Sequence, residues 1–391
     1  SSVLCSLRRP MNSSFTSNSE YAVGEPPAPT ERVPNSNAVL LSGRGWLAVV
    51  AGFAAVLYLC PLLWARLERW RRPADYRLPY ELSDDYWSFE RWSAAASAKC
   101  PVLVVGDSVV WGQYGTPGQT LTHYLNLAQG TSAFANLGVD GLHPAAMSGL
   151  LRYYGKPIQN KGVVLHVNVL WMSSAKHDLR AKEEFRFNHP ALVPQFWPRL
   201  ACYRPSFSER VGIVAARCLP FVSLMKHVRA VDFTNMDLDN WTLENPYADP
   251  LPLLKTKMPA PDDAPRSAPV PWTESGTPEQ DLRWVRLDSS FQWASFRQTV
   301  ALLQARHNKV FALVGPFNTH LLTPGSRKRY GILKSALAKR LEETGVSHYV
   351  VPELPTEEYA DASHPLSAGY ARMAAELSKA AAFREWRADH K

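Results

Sequence analysis

Twenty-one consecutive residues without a charge, Gly45 to Ala65 (GWLAVVAGFAAVLYLCPLLWA), set the first limit on this chain. At about 1.5 Å per residue the run makes roughly 31 Å of helix, enough to cross a bilayer's hydrocarbon core. Inside lipid only a helix or a closed barrel satisfies every backbone polar group, so one membrane-spanning helix over 45–65 is expected. Trp46 and Trp64 stand at its two ends, where interfacial indoles are enriched. A cleaved leader fits poorly, because the preceding stretch is long and polar and no A-x-A site follows. Leu59, before Cys60, is too bulky for a lipoprotein box.

Residues 1–44 hold nine Ser, five Pro and four Asn with few aromatics. They carry too little apolar surface to offset chain entropy, so a disordered tail is expected, with Met11 a candidate start. Within fifteen residues of the span, two Arg precede it (Arg32, Arg44) and five follow it (Arg66, Arg69, Arg71, Arg72, Arg77). Taken literally, that asymmetry places the C-terminal part in the cytoplasm. Residues 66–99 read as a juxtamembrane linker and 100–391 as a folded domain.

The formal net charge is +8, and residues 1–77 account for about half of it with nine Arg against five acidic residues. No later Lys/Arg stripe is interleaved with aromatics, so no nucleic-acid partner is expected. The five Cys form no C-x-x-C pair, which excludes a zinc ribbon and a disulfide scaffold. Cys202 and Cys218 can pair in an oxidising compartment or remain thiols. No H-E-x-x-H spacing occurs, so neither a catalytic metal nor a cofactor is expected.

From Cys100 the pattern is that of an α/β domain. PVLVVG (101–106) is a continuous apolar run ending in Gly, as a buried parallel strand should be. Further strands are expected at 132–137, 162–169, 309–315 and 347–351, with helices at 118–129, 144–154, 326–344 and 367–386. Such alternation implies a parallel sheet covered on both faces. Between residues 176 and 300 it stops, which marks an inserted subdomain. That stretch holds Phe185, Phe187, Trp197, Trp241, Trp272 and Trp284 and a Pro-rich run from Pro246 to Pro271.

Two motifs lie at expected strand ends, the edge of a parallel sheet where ligands bind. Gly106-Asp107-Ser108 follows the first strand, and Asp361-Ala362-Ser363-His364-Pro365 follows the last. A serine hydroxyl becomes a nucleophile when a base takes its proton, and that base needs a partner to fix its tautomer. Ser108, His364 and Asp361 supply the three parts, with Asp361 and His364 on one short loop. His177-Asp178 reads as a solvated turn, His166 and His123 as packed histidines, and His143 as a pocket-flanking residue.

With these motifs the chain resembles the SGNH/GDSL hydrolase family over about 101–383, the insertion excepted. VLVVGDSVVWG (102–112) is similar to the nucleophile block, NLGVDG (136–141) to the second block and DASHPLSAGY (361–370) to the last. The resemblance implies a three-layer α/β/α sandwich around a five-stranded parallel sheet of flavodoxin-like order. It implies that Gly141 offers a backbone N–H to an oxyanion. The third block departs: the family's G-x-N-D is replaced by HVNVLWMSS (166–174), where Asn168 is the nearest amide, and Asn318 in GPFNTH is a rival donor.

The expectation is therefore a single-pass, membrane-anchored serine esterase or O-acyltransferase. Anchored members of the family imply a cell-envelope carbohydrate ester as substrate, a multi-span acyltransferase as partner and an extracytoplasmic domain, against the charge count. The alternative is a noncatalytic SGNH-fold scaffold or assembly subunit of a membrane complex. The insertion leaves the sheet at its carboxyl edge, so it is expected to cover or border Ser108.

Overall fold

The computed structural model describes residues 41–70 and 72–388. The tail expected over 1–44 lies outside the described residues up to position 40, whereas Gly43 and Arg44 already belong to the first helix. Helix α1 (Gly43–Leu67) is the one straight helix among the described residues long and apolar enough to cross a membrane, with a mean hydropathy of 2.2 over its most apolar window. Of its 25 residues only Pro61 is buried. The chain divides after Gly52, and the described residues from Phe53 onward belong to a single unit.

That unit is built on five parallel strands, β1 (Val102–Gly106), β2 (Phe134–Gly138), β3 (Gly162–Val167), β4 (Lys309–Val314) and β5 (Ser347–Val350). Their spatial order is β2-β1-β3-β4-β5, so the order reverses between β1 and β3 and opens a crevice at their carboxyl ends. Alternate strand residues feed two separate cores. Leu103, Val105, Val163, Leu165 and Ala312 enter one, and Val102, Val104, Val164, Phe311 and Leu313 the other. Burial on both sides explains why β1 reads as an unbroken apolar run and β3 and β4 nearly so.

The first core is covered by α2 (Tyr86–Lys99), α5 (Pro144–Tyr153), α9 (Phe291–Ala305) and α10 (Pro324–Glu343). The second takes side chains from the four-residue α3 (Ser108–Trp111) and from α4 (Leu121–Gln129), α11 (Ser367–Lys379) and α12 (Ala381–Ala388). Two of these helices correct the sequence reading. The linker expected over 66–99 contains α2, whose Phe89 and Trp92 are buried and whose Trp92 indole donates to Asn136 O at 2.7 Å. The insertion expected to reach residue 300 ends earlier, because α9 buries Trp293, Phe296 and Leu303 against the sheet core. A parallel β3-to-β4 connection needs such a crossover helix.

The inserted chain proper forms α6 (Phe207–Cys218), α7 (Pro220–Asp232) and α8 (Leu238–Glu244), followed by a long irregular stretch. Helices α6 and α7 meet at 98°. The insertion is tied to the end of α1 through Glu68, whose carboxylate accepts the indole N–H groups of Trp64, Trp70 and Trp87. His227 of α7 bridges Glu68 Oε1 at 3.1 Å and Asp85 Oδ2 at 2.7 Å, all three side chains being buried. Cys202 and Cys218 are free thiols, the first buried against Leu179 O and the second exposed.

Candidate active site

Strand β1 ends in Gly106 because no larger residue fits: a Cβ there would stand 2.4 Å from Val110 and 2.7 Å from His166. The chain then turns at once into α3, with Asp107 as N-cap and Ser108 as the first helical residue. Asp107 Oδ1 accepts the Val109 N–H at 3.0 Å, as an N-cap carboxylate does. The same carboxylate is a buried hub. His166 Nδ1 reaches Oδ1 at 3.1 Å, while Asn168 Nδ2 and the Trp171 indole donate to Oδ2 at 2.8 and 2.9 Å. Burial alone would raise its pKa; the His166 charge and hydrogen bond, with His364 and Trp171, instead hold it well below the usual carboxylate range.

The second motif sits on a closed loop. Tyr359 pairs with Pro365, and Ala360 N–H donates to His364 O at 2.9 Å. Inside the loop Asp361 Oδ1 accepts the N–H groups of Ser363 and His364, each at 2.9 Å. That turn fixes the carboxylate against the imidazole, with His364 Nδ1 at 2.8 Å from Asp361 Oδ2. His364 Nε2 lies 2.8 Å from Ser108 Oγ. Two neighbours lock the arrangement: Tyr114 OH donates to Asp361 Oδ2 at 3.1 Å, and Tyr370 OH donates to Val109 O at 2.7 Å, joining α11 to α3.

The electrostatics follow from burial and charge. Burial would raise the Asp361 carboxyl, but the His364 charge and hydrogen bond and the two loop N–H groups bring it down to about 2. Burial would lower His364, but the Asp361 charge and hydrogen bond, helped by Asp107 and Asp140, raise it above its ordinary 6.5. An imidazole held by a carboxylate on Nδ1 and facing a hydroxyl on Nε2 can take the hydroxyl proton.

The comparisons with known proteins return no matching family model and no matching curated protein.

The donors around Ser108 are less as expected. The N–H groups of Ser108 and Gly141 carry no hydrogen bond to other described residues, whereas Gly138 N–H is taken by Asn136 Oδ1 at 2.9 Å. Asn168 is already engaged: its Nδ2 donates to Asp107 and, at 3.4 Å, to Ser363 Oγ, and its Oδ1 accepts Leu170 N–H. Asn318 donates to Asp361 O at 3.1 Å and buttresses the histidine loop. Both Asn168 N–H donors are therefore occupied, whereas Asn318 keeps its second N–H and its buried Oδ1 without a protein partner among the described residues. A further amide, not singled out in the sequence, is Asn188, whose side chain stands beside Gly141. Gly141 has φ +66, and a Cβ on it would stand 2.1 Å from Asn188 Nδ2, so the glycine leaves room for that side chain.

Two histidines pin Asn188 there. His143 caps α5 by accepting Ala146 N–H at Nδ1, so its Nε2–H donates to Asn188 O at 3.1 Å. Burial, with the His189 charge, pushes His143 down to about 3, which keeps it neutral, and the Ala146 N–H on Nδ1 fixes the tautomer. His189 Nε2 bonds Asp140 O at 2.6 Å. The remaining candidates are structural. Asp178 caps α9 through Ser290 Oγ, Phe291 N–H and Gln292 N–H, His177 bonds Ser173, and His123 pairs with Asp75 at 2.8 Å. No group of three or more metal-ligating side chains occurs among the described residues.

The Pro-rich strap runs along the carboxyl edge of the sheet and bonds the loops after four strands. Arg266 N–H donates to Gln113 O, Trp272 N–H to Tyr359 O, Gln280 N–H to Leu321 O and Val285 N–H to Met172 O. Trp272 and Trp284 pack into the cores beneath it, with their indoles on Thr356 O and Val169 O, while Trp197 is 89% exposed.

Proposed function

We propose that this chain is a membrane-anchored serine esterase or O-acyltransferase of the SGNH/GDSL type, with a three-layer α/β/α arrangement and its folded domain outside the cytoplasm. The observation that carries the reading is the continuous relay from Asp361 through His364 to Ser108, with both links at 2.8 Å. Ser108 Oγ attacks the ester carbonyl while His364 Nε2 takes its proton. The negative charge that develops on the carbonyl oxygen is met by the N–H groups of Ser108 and Gly141 and by the Asn188 amide. Collapse breaks the bond to the alcohol, which leaves with the proton from His364, and Ser108 remains acylated. Water or an acceptor hydroxyl then repeats the sequence in reverse, giving hydrolysis or transfer. Asp107 stays ionised throughout and anchors the nucleophile turn. A cell-envelope carbohydrate ester and a multi-span acyltransferase partner are the substrate and partner we assign to this chemistry.

Incubation of the full chain with a fluorophosphonate probe tests the reading. Covalent labelling that disappears in Ser108→Ala supports it, and a folded chain that takes no label is the result expected of the noncatalytic scaffold.

A further inference from the structure

The last two turns of α1 do not end in open lipid. Cys60, Leu63, Trp64 and Leu67, spaced as one helix face, form one wall of a cavity of about 670 Å³. The opposite wall is Phe221, Met225 and Val228 of α7 with Leu238 of α8 and Leu251 beyond it. Several wall residues are left open: Met225 is 41% exposed, Leu238 52% and Leu251 68%. Such apolar area facing water marks a binding surface. Three charged residues line the same cavity, Lys226, Arg229 and Asp237, and Arg229 pairs with Asp237 at 2.7 Å. Arg66 and Arg69 are exposed beside the end of the span.

We propose that this groove binds an acyl chain of an anionic phospholipid drawn from the adjacent leaflet, with the headgroup at Lys226 and the neighbouring arginines. The proposal rests on reading α1 as a membrane span and is independent of the esterase reading. Continuity carries it. The helix face that meets lipid along the span becomes the groove wall with no change of chemistry, and Trp64 marks the interfacial level where a lipid's chain and headgroup meet. Charge favours the occupant: Lys226 lines the groove and Arg66 and Arg69 are exposed beside it, which suits an anionic headgroup, and an acyl chain is thin enough to lie along the apolar wall. The Glu68 cluster, whose carboxylate holds the Trp64 indole, fixes the wall in place.

The test uses the full chain in liposomes containing phosphatidylglycerol with a photoactivatable diazirine near the chain end, and maps cross-linked peptides by mass spectrometry. Label on the α7 peptide around Met225 and on the peptide around Leu251, in addition to α1, is the expected result. A double variant, Met225→Glu with Leu251→Glu, should lower the α7 label roughly tenfold while label on residues 46–56 holds. Met225→Leu should keep the wild-type pattern. The phosphatidylcholine analogue should label α7 several-fold less than phosphatidylglycerol. Wild-type label confined to α1, undiminished label in the double variant, equal label from both headgroups, or α7 cross-linked to a second copy instead of lipid would each overturn the proposal. The wild-type map decides the matter even if the double variant does not fold.

Discussion

At the residue scale, each group near Ser108 answers for one thing. Asn188→Ala removes the side-chain donor at Gly141 and should lower kcat by about 10²–10³ with little change in KM. Asn168→Ala should instead act through Asp107, loosening the nucleophile turn and lowering stability as well as rate. Steady-state kinetics with a small ester, run beside thermal unfolding, separates the two. The pH profile has a fixed sign. His364 must be neutral to accept the proton, and its pKa lies above 6.5, so kcat/KM should rise with pH through a midpoint on the alkaline side of that value. Asp361→Asn removes the charge that raises His364, so the surviving activity should show its acid limb moved to lower pH.

At the element scale, the junction between α1, α2 and α7 depends on one ion cluster. Burial would lower His227, but its hydrogen bonds and charge interactions with Asp85 and Glu68 raise it to about 10, and Asp232 also feels its charge. The folded value lies above the unfolded 6.5, so this stabilisation is complete below pH 6.5 and is lost as pH rises through about 10. Glu68 works the other way. Burial would raise it, but His227 and the Trp70 and Trp87 indoles lower it below 4.5, so its share is present above 4.5 and lost in acid. Melting temperature of the full chain in detergent should therefore peak between those limits. His227→Gln should cost about 3 kcal/mol by leaving the buried Asp85 carboxylate without its charged partner, Glu68 keeping Arg91 and the indoles, and should flatten the alkaline decline.

The same scale shows what was legible beforehand. Strands β1, β3 and β4 are readable because burial on both faces makes them largely apolar runs, and β2 and β5 because they fall in the strand–helix alternation. The Ser108, His364 and Asp361 relay was readable because two of its members lie on one loop and the third ends a strand. Helix α2 was not, since YWSFERWSAAASAK mixes Ser and Ala with its buried rings and shows no clear apolar stripe. Helix α9 was absorbed into the insertion because Gln292, Ser295 and Thr299 occupy buried positions that break its apolar period. Asn188 lies in chain with no regular structure, and its position is set by His143 and Gly141, more than forty positions earlier. No local pattern encodes such a contact.

For the whole molecule, one exposed thiol, Cys218, can report on which side of a membrane the folded unit stands. Among the described residues of the folded unit beyond the span, Cys100 and Cys202 are buried and Cys218 is exposed. An impermeant maleimide added to intact cells should label the chain, and Cys218→Ser should abolish that label. Label that survives Cys218→Ser, or appears only after lysis, would put the domain in the cytoplasm as the flanking arginines suggest. The strap belongs to this scale too. Through Arg266 and Trp272 it ties the loops after β1 and β5, so deleting 240–275 should reduce transfer to a sugar acceptor while small-ester hydrolysis survives. Equal loss of both would mark the strap as a brace for those loops.

The central claim is that Ser108 is an activated nucleophile, and fluorophosphonate labelling reads that activation directly. Labelling rate should be measured on the wild-type chain, Ser108→Ala and His364→Ala, with the modified peptide identified by mass spectrometry. A single adduct on Ser108, no adduct in Ser108→Ala, and a rate lower by at least about 10³ in His364→Ala are the expected results. An adduct elsewhere, or equal rates with and without His364, would contradict the claim.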